Sequence, residues 1–243
     1  MREEHYFYCP DVASGELPAG EVVHALRVLR MKEGDEMHLI DGVGGLYRAR
    51  IDRTTKNSCY YSIVESEQQP RLWRGRLEIA VAPTKQVERM EWLVEKATEI
   101  GVDRITFLDC CFSERKRLNR EHLERIAISA AKQSHKAFVP TVEDVVEYEE
   151  FIGRTPQSGR RFIAHCYDDA TLCPNGKPFL LDLLGDADDG AIVMVGPEGD
   201  FSFKEIELAI KAGFEPTNLG KSRLRTETAA LVAVHLMNLK NRC

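Results

Sequence analysis

From residue 77 onward, strand-like apolar segments alternate with helix-like segments, and no other feature of the sequence constrains the fold as strongly. The segment 191–195, AIVMV, is apolar throughout, which is typical of a strand covered on both faces of its sheet. The segment 86–100 carries apolar residues at helical three-to-four spacing: Val87, Met90, Val94 and Ala97. This alternation predicts an α/β domain with a mostly parallel sheet.

The first 70 residues have a different pattern, in which short strand-like segments and turns dominate. Two such segments flank the glycine-bearing stretch 41–45, which predicts a hairpin. One helix-like stretch, residues 20–31, interrupts the strands. We therefore expect a small β-barrel over residues 1–70 and an α/β domain over residues 71–243.

Composition excludes several classes of protein. The 243 residues include 33 lysines and arginines against 39 acids, a net charge of −6, which argues against a protein that coats DNA through a generally basic surface. Hydrophobic residues make up 43% of the chain, which excludes disorder, and no apolar run reaches the ~20 residues of a membrane span. The seven cysteines form no CxxC pair, so we expect free thiols, no metal site and a cytoplasmic location.

The first candidate site is the segment 195–202, VGPEGDFS, which follows a buried strand and opens a helix. Ligands of open α/β sheets bind beyond the carboxyl ends of the strands. Gly196 and Gly199 permit close approach of the backbone, and free amides at a helix start favour anions or carboxylates. An ordinary strand-to-helix turn with glycines explains the segment equally well.

The second candidate site is the segment 219–229, LGKSRLRTETA, which also joins a strand-like piece to a helix. Thr226 suits the N-cap and Glu227 suits the positive end of the helix. Three cations, Lys221, Arg223 and Arg225, precede that helix, where positive charge is unfavourable unless an anion or a partner is present. A solvated basic loop is the alternative.

The third candidate is a basic tract between residues 113 and 136, which has a local net charge of +4. Its cations are Arg115, Lys116, Arg117, Arg120, Arg125, Lys132 and Lys136. Acids are concentrated elsewhere, for example in the run 143–150. A tract of this kind is either a solvated face or, together with Arg27 and Arg30 of the N-terminal segment, a groove for nucleic acid.

The two glycine-bearing segments resemble a known family signature. Residues 195–199, 219–220 and 224–229 resemble the motifs of the RsmE family, SPOUT-class methyltransferases that act on N3 of a uridine in small-subunit ribosomal RNA. Residues 24–30, 34–36, 96–102 and 130–134 extend the resemblance over nearly the whole chain. The sequence departs from the family pattern where Asp200 and His135 stand in place of glycines, and Arg223 replaces an aliphatic residue.

The resemblance implies a C-terminal trefoil-knotted SPOUT domain, an N-terminal PUA-like β-barrel that binds RNA, and a homodimer. It implies S-adenosylmethionine as cofactor and 16S ribosomal RNA, in the small subunit or its assembly intermediate, as partner. The cofactor contacts expected are His165, Val195, Gly196, Pro197, Glu198, Gly199, Leu219, Gly220, Ser222, Leu224, Arg225 and Thr226. The RNA contacts expected are His24, Arg27, Arg30, Arg115, Arg125, Lys132 and Lys136.

The chemistry of the reaction indicates two catalytic candidates. Uracil N3 is a poor nucleophile until it loses its proton, and the charge then spreads onto O2 and O4. A cation placed there stabilises that charge, and Arg225 is the candidate. Glu227 or Glu198 could accept the proton, although Glu227 also suits a purely structural role at the helix end. A non-catalytic RNA-binding or ribosome-assembly protein remains the alternative function.

Overall fold

The computed structural model describes residues 4–156, 159–167, 173, 176–185 and 190–242. The chain divides into two compact units, of which the first comprises residues 1–71 and 128–139 and the second comprises residues 72–127 and 140–243. Among the described residues, no helix has the length and apolar character needed to cross a bilayer.

The first unit contains a four-stranded sheet with the order β1-β2-β3-β4. Its strands are β1 (Tyr6–Tyr8), β2 (Glu36–Ile40), β3 (Gly45–Thr54) and β4 (Cys59–Gln68). The predicted hairpin is confirmed, because β2 and β3 are antiparallel and the Asp41 carboxylate accepts hydrogen bonds from the N–H groups of Val43 and Gly45, both at 2.8 Å. The sheet packs a continuous core that includes Phe7, Met37, Leu39 and Ile51.

The prediction of one regular helix over residues 20–31 is wrong in its second half. Helix α1 (Ala19–Val23) passes into a π-helical turn (His24–Val28), in which the Leu29 N–H donates to the His24 carbonyl. Arg30 then adopts a left-handed φ of 56°. Such a φ is incompatible with a continuing right-handed helix.

The second unit confirms the prediction of a parallel α/β sheet. It has six strands in the order β10-β8-β9-β5-β6-β7, and every neighbouring pair is parallel. The strands are β5 (Leu77–Val81), β6 (Arg104–Asp109), β7 (Thr141–Glu147), β8 (Arg160–Ala164), β9 (Ala191–Val195) and β10 (Glu215–Thr217). The apolar β9 lies between β8 and β5, which explains why nearly all of its residues are buried.

Six further helices follow α1 in the described part of the chain. They are α2 (Val87–Ile100), α3 (Arg120–Gln133), α4 (Tyr148–Arg154), α5 (Leu180–Leu183), α6 (Phe203–Lys211) and α7 (Thr226–Lys240). Helix α2 buries Met90, Val94 and Ala97 as its periodicity predicts. Helix α6 begins with a capping box, in which Ser202 and Glu205 each accept a hydrogen bond from the other's backbone N–H.

Strand β7 and helix α4 are absent from the sequence-based prediction, which treats residues 143–150 as a run of acids. In the structure β7 is the edge strand, and Glu143 is neutralised by ion pairs with Arg104 and Arg154. A register irregularity between Ile105 and Phe107 also breaks the simple alternation along this pair of strands. Cross-strand charge pairs of this kind cannot be recognised from local composition.

Candidate cofactor site

Both glycine-bearing segments lie at one edge of the parallel sheet. The 196–202 loop follows β9 and leads into α6, and the 218–225 loop follows β10 and leads into α7. Strand β8 lies between β9 and β10, so His165, directly after β8, belongs to the same edge. This is the carboxyl edge of the strands, where open α/β sheets bind their ligands.

The 196–202 loop is held by side-chain hydrogen bonds to its neighbours. Glu198 Oε1 accepts a hydrogen bond from the Lys85 N–H at 3.1 Å, which ties the loop to the segment after β5. Asp200 Oδ2 accepts one from the Cys166 N–H at 2.7 Å, which ties it to the segment after β8. Asp200 has a φ of 67°, in the left-handed region that favours glycine and that aspartate tolerates better than most residues.

The glycines of this loop meet different surroundings. A Cβ atom at Gly196 would lie 3.1 Å from both the backbone nitrogen and the ring of Phe201, so a side chain at this buried position would crowd the protein's own packing. Gly199 is exposed, and a Cβ atom there would lie 3.1 Å from the Cβ of Phe112. Gly196 is therefore enclosed by the protein, whereas Gly199 lies at the surface.

The 218–225 loop presents its cations to solvent. Asn218 Oδ1 accepts a hydrogen bond from the Gly220 N–H at 3.0 Å, and Gly220 has a φ of 121°. Lys221, Ser222, Arg223 and Arg225 are exposed, whereas Leu219 and Leu224 are half-buried. Within the described ranges, no side chain forms an ion pair with Arg225.

A buried hydrogen bond joins the two loops. The Thr226 hydroxyl donates to the Gly196 carbonyl at 3.1 Å, and both residues are buried. Thr226 is the first residue of α7 and not its N-cap, which corrects the sequence-based expectation. Arg225 occupies the N-cap position without capping through its side chain.

Glu227 is a buried carboxylate with an incomplete set of partners. Its side chain is 9% exposed, and its Oε1 lies 3.7 Å from Arg89 Nε, beyond hydrogen-bond distance. Its Oε2 has no hydrogen-bond partner among the described residues. Buried polar atoms are normally paired, and this oxygen is one of a few buried polar atoms of the described residues that have no partner.

His165 is buried, as a residue beside a ligand crevice can be, and its Nε2 lies 3.7 Å from the Cys173 sulfur. The Lys177 ammonium fixes the segment after β8 by donating to the carbonyls of His165 and Tyr167 at 2.8 and 2.7 Å. In the part of the chain that is described, no cluster of His, Cys, Asp and Glu side chains could hold a metal ion.

Comparison with known proteins identifies the family of this chain. Residues 72–238 match the family model of the RNA methyltransferase domain, and residues 17–64 match that of the RNA methyltransferase PUA domain. The ribosomal RNA small subunit methyltransferase E of Aquifex aeolicus is 29% identical over 242 residues, which cover 96% of this chain and 98% of that protein. The chain belongs to the RsmE family of RNA methyltransferases.

Solved structures of RsmE-like proteins are similar over almost the whole chain. A probable rRNA-methyltransferase from Porphyromonas gingivalis is 45% identical with a TM-score of 0.88, and the match covers 98% of both chains. A ribosomal RNA small subunit methyltransferase E from Neisseria gonorrhoeae, bound to S-adenosyl methionine, is 26% identical with a TM-score of 0.83 and the same coverage. The resemblance inferred from the two glycine-bearing segments is thereby confirmed.

The expected RNA-binding residues of this RsmE-family chain fall in both units. In the first unit His24, Arg27 and Arg30 are exposed, whereas Lys132 is four-fifths buried and pairs with Glu21 at 2.6 Å. Lys136, also in the first unit, is half-buried. In the second unit Arg125 is exposed and Arg115 donates to the Lys85 carbonyl at 2.7 Å. The charge of Lys132 is thus neutralised by its ion pair with Glu21.

Phe112 is a residue at this edge that the sequence analysis does not identify. It follows β6, is 49% exposed, and lies against Gly199. Its loop is fixed because the Cys111 N–H donates to Glu205 Oε1 at 2.8 Å. The rule that places ligands at strand ends, applied to β6 as well as β9, would have identified it.

Proposed function

We propose that this protein methylates N3 of a uridine in 16S ribosomal RNA, with S-adenosylmethionine as the methyl donor. The single observation that carries the proposal is the buried Thr226–Gly196 hydrogen bond, which joins two glycine-bearing loops at the carboxyl edge of the sheet. The family assignment supports it, since the relatives include a ribosomal RNA methyltransferase bound to S-adenosyl methionine.

The residues at this edge fit the cofactor. The exposed Gly199 and Gly220 leave backbone accessible, and the half-buried Leu219 and Leu224 offer apolar surface next to it. The unpaired Glu227 Oε2 supports the proposal, since a group bound at this edge could supply its missing partner. When bound there, S-adenosylmethionine supplies an electrophilic methyl group on a sulfonium. The other expected contacts also lie at this edge of the sheet: His165, Val195, Pro197, Glu198 and Ser222.

Arg225 and Glu227 have the properties that the chemistry at uracil N3 requires. Arg225 is exposed at the N-cap position of α7, where its guanidinium can stabilise negative charge on O2 or O4 of the base. Glu227 is buried, and Arg89 keeps a positive charge near its Oε1 while Oε2 is left to accept a proton. Glu198 is the weaker candidate for the base, because its Oε1 is engaged by the Lys85 N–H.

The finer features of the fold are part of this proposal. A trefoil knot in residues 71–243 is supported by the packing of α7 against β5 and β9, which brings the C-terminal helix to the centre of the sheet. A PUA-like β-barrel over residues 1–70 is supported by the four-stranded sheet and by the match of residues 17–64.

A homodimer through α7 is supported by the apolar residues that this helix leaves accessible. Leu231 and Leu236 are half-buried and Leu239 is 42% exposed, although α7 buries Val234 and Met237 within its own unit. His235 is exposed on the same helix, in agreement with a place at an interface and not in the core. We also propose a cytoplasmic location, where the ribosomal substrate occurs.

The test of the function is a methyl-transfer assay on small ribosomal subunits from cells that lack this protein. We expect label from S-adenosylmethionine to enter 16S ribosomal RNA at one uridine, located by mass spectrometry. Arg225→Ala should lower single-turnover methyl transfer by on the order of a hundred- to a thousandfold while cofactor affinity falls modestly. RNA binding without cofactor binding or methyl transfer would instead establish the non-catalytic alternative.

A further inference from the structure

Three aromatic rings form a stack in the first unit. The ring of Tyr6 lies between those of His38 and His135, with centroid distances of 5.1 and 4.4 Å and interplanar angles of 18° and 20°. Tyr6 and His38 are register partners on β1 and β2, so the sheet itself positions the first pair. We call these three residues the ring stack; Tyr6 and His38 are half-buried, and His135 is its exposed end.

The backbone of His135 is fixed in a conformation that a side chain disfavours. Its φ is 55°, in the left-handed region where glycine carries no penalty. The Gln69 side chain holds the segment in place, because its amide N–H donates to the His135 carbonyl at 2.9 Å and its oxygen accepts from the Ala137 N–H at 2.7 Å. His135 therefore places an imidazole ring at a backbone position where glycine would carry no conformational penalty.

We propose that the ring stack is a docking site for an unpaired nucleobase of the RNA, which extends the stack on the His135 imidazole. Unpaired bases are recognised by stacking on histidine and tyrosine rings, and every base has a π-face for this contact. The inference rests on the proposed function for its RNA ligand.

The polar surroundings direct the base to the His135 end of the stack. At the middle ring, the Tyr6 hydroxyl donates to Glu4 at 3.2 Å, and the pKa of Tyr6 is raised mainly by burial and further by the negative charges of Glu4 and Glu67. Two carboxylates repel the phosphates of an approaching strand from that edge. His135 is instead followed directly by the half-buried Lys136, and it is the exposed end of the stack.

The variant His135→Gly separates a docking role from a structural one. It removes the terminal ring and also the disfavoured left-handed side chain, so we expect the midpoint of thermal unfolding to be unchanged or higher. If the ring stack only stabilises the fold, the unfolding midpoint of His135→Gly should instead be lower than that of the wild type. His135→Phe keeps an aromatic ring and should keep RNA binding, whereas His122→Ala removes an imidazole outside the stack and should have no effect on it.

The experiment uses the full-length protein and a short single-stranded RNA that contains 2-aminopurine, a base whose fluorescence is quenched by stacking. We expect quenching with the wild type and His135→Phe, and an affinity about tenfold lower without quenching for His135→Gly. Wild-type affinity and quenching in His135→Gly overturn the inference, as does a loss of affinity that occurs only together with a lower unfolding midpoint.

Methyl transfer by the wild type is measured in parallel, so that a failure of the docking proposal can be distinguished from a failure of the proposed function. If the wild type methylates 16S ribosomal RNA but His135→Gly binds 2-aminopurine RNA normally, the ring stack is not a base-docking site and the function stands. If quenching depends on His135 but no methyl is transferred, the docking site stands and the proposed function fails.

Discussion

The hydrogen bond between Thr226 and Gly196 makes the two-loop site directly testable. Thr226→Val replaces the hydroxyl by a methyl group of similar size, so packing at the start of α7 changes little. The Gly196 carbonyl then loses its donor while it stays buried. An unsatisfied buried acceptor costs about 1–3 kcal/mol, and a domain of this size loses roughly 2–4 °C of Tm per kcal/mol.

The same substitution should weaken cofactor binding more than a mere loss of stability explains. Thr226 is the covalent start of α7 and Gly196 the first residue after β9, so their bond fixes the spacing of the two loops. We expect S-adenosylmethionine affinity, measured by isothermal titration calorimetry, to fall about tenfold, which corresponds to about 1.4 kcal/mol. The matched control is Thr226→Ser, which keeps the hydroxyl and should retain most of the affinity.

Two outcomes would refute this reasoning. Thr226→Val with the affinity and Tm of the wild type would show that the bond does not hold the site together. Equal losses in Thr226→Val and Thr226→Ser would show that the methyl group, and not the hydroxyl, matters.

Three further predictions concern single residues. If Glu227 is the base, Glu227→Gln should slow single-turnover methyl transfer about a hundredfold or more at saturating cofactor and RNA. An unchanged rate would show that Glu227 has only a structural role, as the ion-pair partner of Arg89. Asp200→Gly should be more stable in urea than Asp200→Ala by about 1 kcal/mol, since both lose the carboxylate but only alanine keeps a disfavoured φ; equal stability would contradict a strained backbone. In the native protein iodoacetamide should label the exposed Cys111 and spare Cys110, whose thiol is buried with its pKa raised mainly by desolvation; mass spectrometry that finds Cys110 labelled first would contradict this.

Much of the fold could be predicted because local patterns and tertiary packing agree there. The apolar β9 and the single buried face of α2 correspond directly to their sequence patterns. The edge strand β7 could not be predicted, because its acids become acceptable only beside Arg104, which is remote in sequence. The π-helical turn after α1 was missed since its residues have ordinary helix-forming character.

The location of the candidate site could be predicted from the sequence, but its connections could not. Glycines that follow strands identify the two loops, since backbone freedom is encoded locally. That Thr226 bonds to Gly196 and does not cap its own helix depends on the neighbouring strand, which the sequence alone cannot place. The role of Asp200 as a tie to Cys166 also requires the strand order.

The strand order has a consequence for biosynthesis. The central strand β5 pairs with β9, so Leu77 cannot form its pair with Ala191 until the intervening chain has been synthesised. Both loops of the site are synthesised after β9. Contacts so distant in sequence make folding slow, and an exposed strand edge invites association with other chains in the interval. A nascent chain that ends before α7 should therefore lack the Thr226–Gly196 hydrogen bond and the cofactor site that depends on it.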